Sequence, residues 1–201
     1  PNGAGKSTLI KGIMGLVKPI SGKVQFPLGK NIAYVPQTGS VDWDFPATVE
    51  DIVLMGRYGH VGWIKRVSKK DKQIADSMIE KVGMTDFKDR QISQLSGGQQ
   101  QRVFLARALT QEADIYILDE PLKGVDAKTE TILMNLLREL ANQNKTVLVV
   151  HHDLNSLKTY FDHLVLMNIQ LIAAGPMNET LTKENLIKAY QSDVSVGIDG
   201  L

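Results

Sequence analysis

The chain has 201 residues, 43% of them hydrophobic, which is enough to bury a core and suits one domain or one domain with an insertion. Lys and Arg (23) nearly balance Asp and Glu (22), for a formal charge of +1, so neither a basic nucleic-acid-binding face nor an acidic tail is indicated, and no nucleic-acid partner is expected. The lack of cysteine excludes a disulfide framework and a thiolate metal site, and no apolar run approaches the roughly 20 residues of a spanning helix, so any membrane role is peripheral.

The opening Pro1-Asn2-Gly3-Ala4-Gly5-Lys6-Ser7-Thr8 has no initiator Met and no signal-peptide character, and reads as the start of an N-terminally truncated chain. Leu9, Ile10, Ile13, Met14 and Leu16 then recur at near-helical spacing until Gly15 to Gly22 break the pattern. Asn31 to Val35 reads as a short strand ending at Pro36-Gln37. About 57 residues follow before Leu95 (94 minus 37), too many for a plain loop in a compact domain. Within them Thr48 with Asp51 and Ser68 with Asp71 form two capping boxes, each opening an apolar-periodic segment, so the stretch is predicted to be mostly helical.

Beyond that insertion the spacing predicts a helix over about Gly98 to Thr110, a strand at Ile115 to Leu118, and a helix from about Ala127 with Ile132, Leu133, Leu136, Leu137 and Leu140 on one stripe. Thr146 to Val150 is an unbroken β-branched and leucine run, as expected of a strand covered on both faces. A helix near Leu154 to Tyr160, strands at His163 to Met167 and Gln170 to Ala173, and a helical tail from about Lys183 to Tyr190 complete the pattern. Strand and helix alternate, which predicts an α/β fold with a mainly parallel sheet.

Three motifs carry chemistry. Gly3-Ala4-Gly5-Lys6-Ser7-Thr8 is the second half of a P-loop: glycines let backbone N–H groups close around phosphates, the lysine reaches the β/γ-phosphates, and Ser7 can ligate Mg²⁺. Its bland alternative is a Gly-rich turn capping a helix. Ile115-Tyr116-Ile117-Leu118-Asp119-Glu120 is an apolar strand delivering two carboxylates at the end where α/β sheets place their ligands. One could hold Mg²⁺ with Ser7 while Glu120 acts as general base, unless Asp119-Glu120-Pro121 merely turns the chain. Leu95-Ser96-Gly97-Gly98-Gln99 sets a serine and two glycines at a helix start, a second surface suited to phosphate.

With that pentapeptide in hand, the order and spacing of the motifs resemble the ABC ATPase family across essentially the whole chain. The resemblance implies a P-loop NTPase (RecA-like) core over 1–40 and 96–201 with an inserted α-helical subdomain over 41–95. It implies ATP and Mg²⁺ as ligands, and a head-to-tail homodimer in which Ser96, Gly97, Gly98 and Gln99 cover the γ-phosphate held by Pro1 to Thr8 of the other copy. It also assigns Gln37 to Mg²⁺ and the attacking water, Asp126 to a loop crossing the dimer interface, and His152 to the γ-phosphate. Asp126 reads locally as a helix N-cap too, and both can hold. Leu122-Lys123 departs from the family, where close relatives tend to have Phe followed by a small residue.

Val41-Asp42-Trp43-Asp44-Phe45-Pro46 and Leu54-Met55-Gly56-Arg57-Tyr58-Gly59-His60 resemble the branch of ABC importers for manganese, zinc or iron. That implies a subunit at the cytoplasmic face of the membrane, working on permease subunits and indirectly with an extracytoplasmic metal-binding protein. An iron-chelate transporter or a non-transport ABC ATPase are the alternatives. Four histidines without ligand spacing make no site for the transported ion in this chain. Trp43, Phe45, Tyr58 and Trp63 gather in the insertion, either as a docking face for a membrane subunit or as the core of a small helical subdomain.

Overall fold

The computed structural model describes residues 1–26, 29–37, 46–62 and 66–190. The segment Val41 to Phe45 and Trp63, singled out above, lie outside these residues. Two compact units emerge: Phe26–His151, and Pro1–Gln25 together with His152–Leu201.

In the first unit, β1 (Ile32–Val35), β2 (Ile115–Asp119) and β3 (Thr146–Val150) form a parallel sheet in that order. β2 is the middle strand, and Tyr116, Ile117 and Leu118 are at most 2% exposed. β3 differs from its sequence reading: Thr146 is exposed and the other four residues are only half-buried. Among the described residues β3 pairs on one side, with β2.

Helices α2 (Val49–Met55) and α4 (Lys69–Lys81) open with the two capping boxes read from sequence, with both reciprocal bonds made in each. The short α3 (Tyr58–Val61) lies between them. α2 and α4 pack on each other and on α5 (Gly97–Thr110), which also meets β1. α5 is therefore buried nearly all round, polar residues included: Gln100 Nε2 donates to the Ile92 carbonyl at 3.1 Å and Thr110 Oγ1 to that of Val53 at 3.0 Å. Gly56 sits against the last turn of α5 so closely that a Cβ there would overlap Thr110 Oγ1 and the Arg107 carbonyl. Beside it Arg57, 6% exposed, binds Asp71 Oδ1 at 3.0 Å, the Thr110 carbonyl at 2.7 Å and Glu112 Oε2 at 2.6 Å. α6 (Ala127–Asn142) packs along β3.

In the second unit α1 (Lys6–Ile13) follows the Gly-rich opening; it ends earlier than the apolar spacing suggests, and Leu16 lies beyond it, 69% exposed. β4 (His163–Asn168) and β5 (Gln170–Pro176) form an antiparallel pair. α7 (Leu157–Tyr160), α8 (Met177–Thr180) and α9 (Lys183–Tyr190) complete this unit, whose core is Leu157, Leu166, Met177, Leu181 and Leu186.

Candidate functional site

The Gly-rich opening is shaped by backbone that only glycine adopts easily. Gly3 and Gly5 have φ of 73° and 90°, while Ala4 between them is 1% exposed. Gly5 is the N-cap of α1 and has no side chain to bond the first-turn amides, the arrangement a helix start offers to an anion. Lys6 Nζ lies back over the loop and donates to the Pro1 carbonyl at 2.6 Å. From behind, Ile169 N donates to the Ala4 carbonyl at 3.0 Å, which ties the β4–β5 turn to the loop. A Cβ at Gly3 would meet nothing within 4 Å. An open glycine face, uncapped amides and an ammonium suit a phosphate chain, with exposed Ser7 and Thr8 in the same first turn.

In the other unit the carboxylates follow from strand register. β1 and β2 run parallel with Val35 opposite Leu118, so Gln37 and Glu120, each two residues further on, come side by side. Gln37 Nε2 donates to Glu120 Oε2 at 2.8 Å across 83 residues of sequence. Asp119 is 5% exposed, and burial together with the charge of Asp119 pushes the Tyr34 phenol above its ordinary value. Glu120 carries a left-handed φ of 52°, uncommon for a residue with a side chain. Its backbone N–H bonds the Val150 carbonyl at 3.2 Å, and Lys123 Nζ approaches its Oε2 at 3.2 Å.

Ser96 caps α5, accepting from Gln99 N at 3.4 Å while its own N–H bonds Gln99 Oε1 at 2.9 Å. A Cβ at Gly97 would meet nothing within 4 Å, whereas one at Gly98 would lie 2.8 Å from the Gly124 carbonyl oxygen. The start of α5 is thus pressed onto the loop between Glu120 and Asp126. Asp126 caps α6, accepting from Thr129 N at 2.9 Å and Thr129 Oγ1 at 2.7 Å. Gln37, Asp119, Glu120, Ser96 to Gln99 and Asp126 accordingly belong to one unit, while Pro1 to Thr8 and His152, exposed two residues past β3, belong to the other.

Among the described residues no group of three or more His, Asp or Glu could hold a metal ion. The buried carboxylate of Asp119 in one unit and the exposed hydroxyl of Ser7 in the other are each hard-oxygen donors of the kind Mg²⁺ takes.

The model of a family described as ABC transporter matches residues 1–123. The chain belongs to the ABC transporter family. Its relatives within that family include the manganese transport system ATP-binding protein MntB of Bacillus subtilis (strain 168), 58% identical over 94% of this chain and 78% of that protein. The zinc transport system ATP-binding protein TroB of Treponema pallidum (strain Nichols) is 55% identical over 97% and 76%. Among solved structures, an inward-facing ABC transporter superposes with a TM-score of 0.84 at 34% identity, covering 95% of this chain and 76% of that one. The ADP conformation of an ATP-binding cassette from an ABC transporter gives 0.71 at 26% identity, over 96% and 85%. The α/β P-loop fold is therefore that of ABC ATPases, and no described helix is long and apolar enough to cross a membrane.

The plain N-cap turn weighed against the functional reading at Ser96 does form, as a capping box closed by Gln99. Two features of this ABC family member escape the sequence reading. Gly98 is required by a close approach that no local pattern reveals. Lys123 contacts Glu120, for which the only hint is opposite charge three residues apart across a turn.

Proposed function

We propose that the chain is the ATP-binding and ATP-hydrolysing subunit of an importer for a transition-metal ion: manganese, zinc or iron. Its relatives named for manganese and zinc transport, at 58% and 55% identity over nearly all of the chain, support that cargo. The observation that carries the hydrolytic reading is the Gln37–Glu120 pair at 2.8 Å, set beside buried Asp119 at the end of a parallel sheet.

In this mechanism the amides of residues 3–8 and Lys6 bind the β- and γ-phosphates, and Ser7 and Asp119 would hold Mg²⁺. That ion, when bound, offsets phosphate charge and fixes the orientation of the chain of phosphates. Gln37 and Glu120 position a water, Glu120 takes its proton, and the water oxygen bonds to the γ-phosphorus as the bond to the β–γ bridging oxygen breaks. The products are ADP and inorganic phosphate. His152 contacts the γ-phosphate, and Ser96, Gly97, Gly98 and Gln99 with Asp126 serve the site of a second copy in a head-to-tail homodimer. The open face at Gly97, where an added Cβ would meet no described atom within 4 Å outside its own stretch of helix, favours that assignment.

The domain reading is likewise a proposal: residues 41–95 form a helical insert in a core of 1–40 and 96–201. Every named helix or turn described between 46 and 95 is helical, which supports it. Its partner would be a permease at the cytoplasmic face of the membrane, received near α3, where Tyr58 is 54% exposed. A metal-binding protein on the other side would deliver the ion.

Glu120→Gln tests the core of this reading. ATP binding should persist while turnover falls about 10²- to 10⁴-fold, the usual contribution of a positioned base. Undiminished hydrolysis would remove Glu120 from that role. For the cargo, uptake of at least one of manganese, zinc and iron should differ between cells with and without the subunit, and equal uptake of all three would set the metal reading aside.

A further inference from the structure

We infer that Lys123 is a positioning residue that restrains the carboxylate of Glu120 in the resting subunit and must let go of it before hydrolysis. The inference rests on Glu120 acting as the base. The sharp turn after β2 makes the contact: Glu120 is held at φ 52°, and Lys123 N donates back to the Glu120 carbonyl at 3.2 Å. Closing the turn brings Lys123 Nζ within 3.2 Å of Glu120 Oε2, the same oxygen that receives Gln37 Nε2 at 2.8 Å.

Oε2 therefore carries a hydrogen bond from Gln37 and an ion-pair contact from Lys123. They also fix the rotation of the whole carboxyl group about its last bond, a torsion that is otherwise broad. A base in that state is held, not aimed. The two donors differ in what releases them. Gln37 is anchored just past β1 by the sheet register, whereas Lys123 is 64% exposed on a four-carbon stem, against 16% for Glu120. Lys123 is the donor that can swing away.

The same short loop is where α5 presses in, since Gly98 abuts the Gly124 carbonyl. The residue after Lys123 is thus in contact with the helix start that is assigned to the second copy's nucleotide. A shift of that helix start on dimer closure acts directly on the turn that places the ammonium, which links closure to release of the base.

The test uses the complete subunit and steady-state ATPase kinetics on Lys123→Ala, Lys123→Gln and Lys123→Arg. Removing the ammonium should raise basal kcat about two- to fivefold, the scale of an exposed ion pair, with KM for ATP unchanged. Lys123→Arg, which keeps the charge and reach, should return kcat to the parent value. A purely structural lysine would not raise kcat while leaving KM unchanged. Unchanged or lower kcat in both Lys123→Ala and Lys123→Gln overturns the restraint. Glu120→Gln run alongside separates the two readings: if it abolishes turnover while the Lys123 variants are inert, only the restraint fails, and if it leaves turnover intact, the base assignment fails first.

Discussion

Gly97 and Gly98 stand side by side at the start of α5 yet have opposite surroundings, and alanine at each separates folding from function. A Cβ at Gly98 would sit 2.8 Å from the Gly124 carbonyl oxygen, against about 3.4 Å for ordinary contact, so backbone must yield by about 0.6 Å. Overpacking of this kind costs about 1–3 kcal/mol, offset by about 0.5–1 kcal/mol from replacing a helical glycine. Gly98→Ala should therefore lose up to about 2.5 kcal/mol, a fall of up to a few degrees in Tm for a chain of this size. At Gly97 nothing lies within 4 Å, so the same substitution should leave Tm unchanged or slightly raised. A loss of ATPase in Gly97→Ala without a loss of stability then points to a contact made by a second copy. Mixed dimers identify it. With Lys6→Ala on one protomer and Gly97→Ala on its partner, a head-to-tail pair keeps one site with both an intact loop and an intact serine-glycine turn. With both substitutions on one protomer, it keeps none. The first arrangement should retain activity and the second lose it; equal activities, or the reverse order, would refute the idea that each copy completes the other's site.

Local patterns carried most of the fold, because the decisive signals sit within a few residues of one another. Both capping boxes of the helical stretch were legible as Thr48-x-x-Asp51 and Ser68-x-x-Asp71, and both form. The central strand was legible from Ile115 to Leu118 because β2 is covered on both sides. β3 has a similar composition but is only half-buried, and composition does not say how much of such a strand is covered. At the site, the residue types could be named from motifs, but their contacts could not. Gln37 meets Glu120 only because β1 and β2 pair with Val35 opposite Leu118, a register that depends on the whole sheet. Arg57 was invisible as a structural group for the same reason: it joins Asp71, Thr110 and Glu112, up to 55 residues away, and no periodicity marks such a residue as buried.

Gly56→Ala should be more damaging than Gly98→Ala, costing about 3 kcal/mol or more, because the added methyl overlaps both a side-chain oxygen and a backbone carbonyl of α5; a chemical-denaturation midpoint equal to the parent's would refute the tight approach. Ser68→Ala removes the cap of α4 and should cost about 1 kcal/mol in the same measurement, with no change expected if the hydroxyl were idle. The same serine governs a pH dependence whose sign follows from Asp71. The Ser68 hydroxyl first, then the Ser68 backbone N–H and Arg57, hold the Asp71 carboxyl down to about 2, below its ordinary 3.8. A depressed carboxylate binds fewer protons folded than unfolded, so its stabilisation is fully present above the unfolded pKa and is lost as pH falls through the folded one. Between about pH 4 and pH 2 the parent should therefore lose stability that an Asp71→Asn variant does not have to lose. In Ser68→Ala the Asp71 pKa should move back up, shifting its part of the acid transition to higher pH. Carboxyl titration followed by NMR alongside denaturation at each pH checks both, and an Asp71 that titrates at its ordinary value in the parent would show that Ser68 and Arg57 do not hold it.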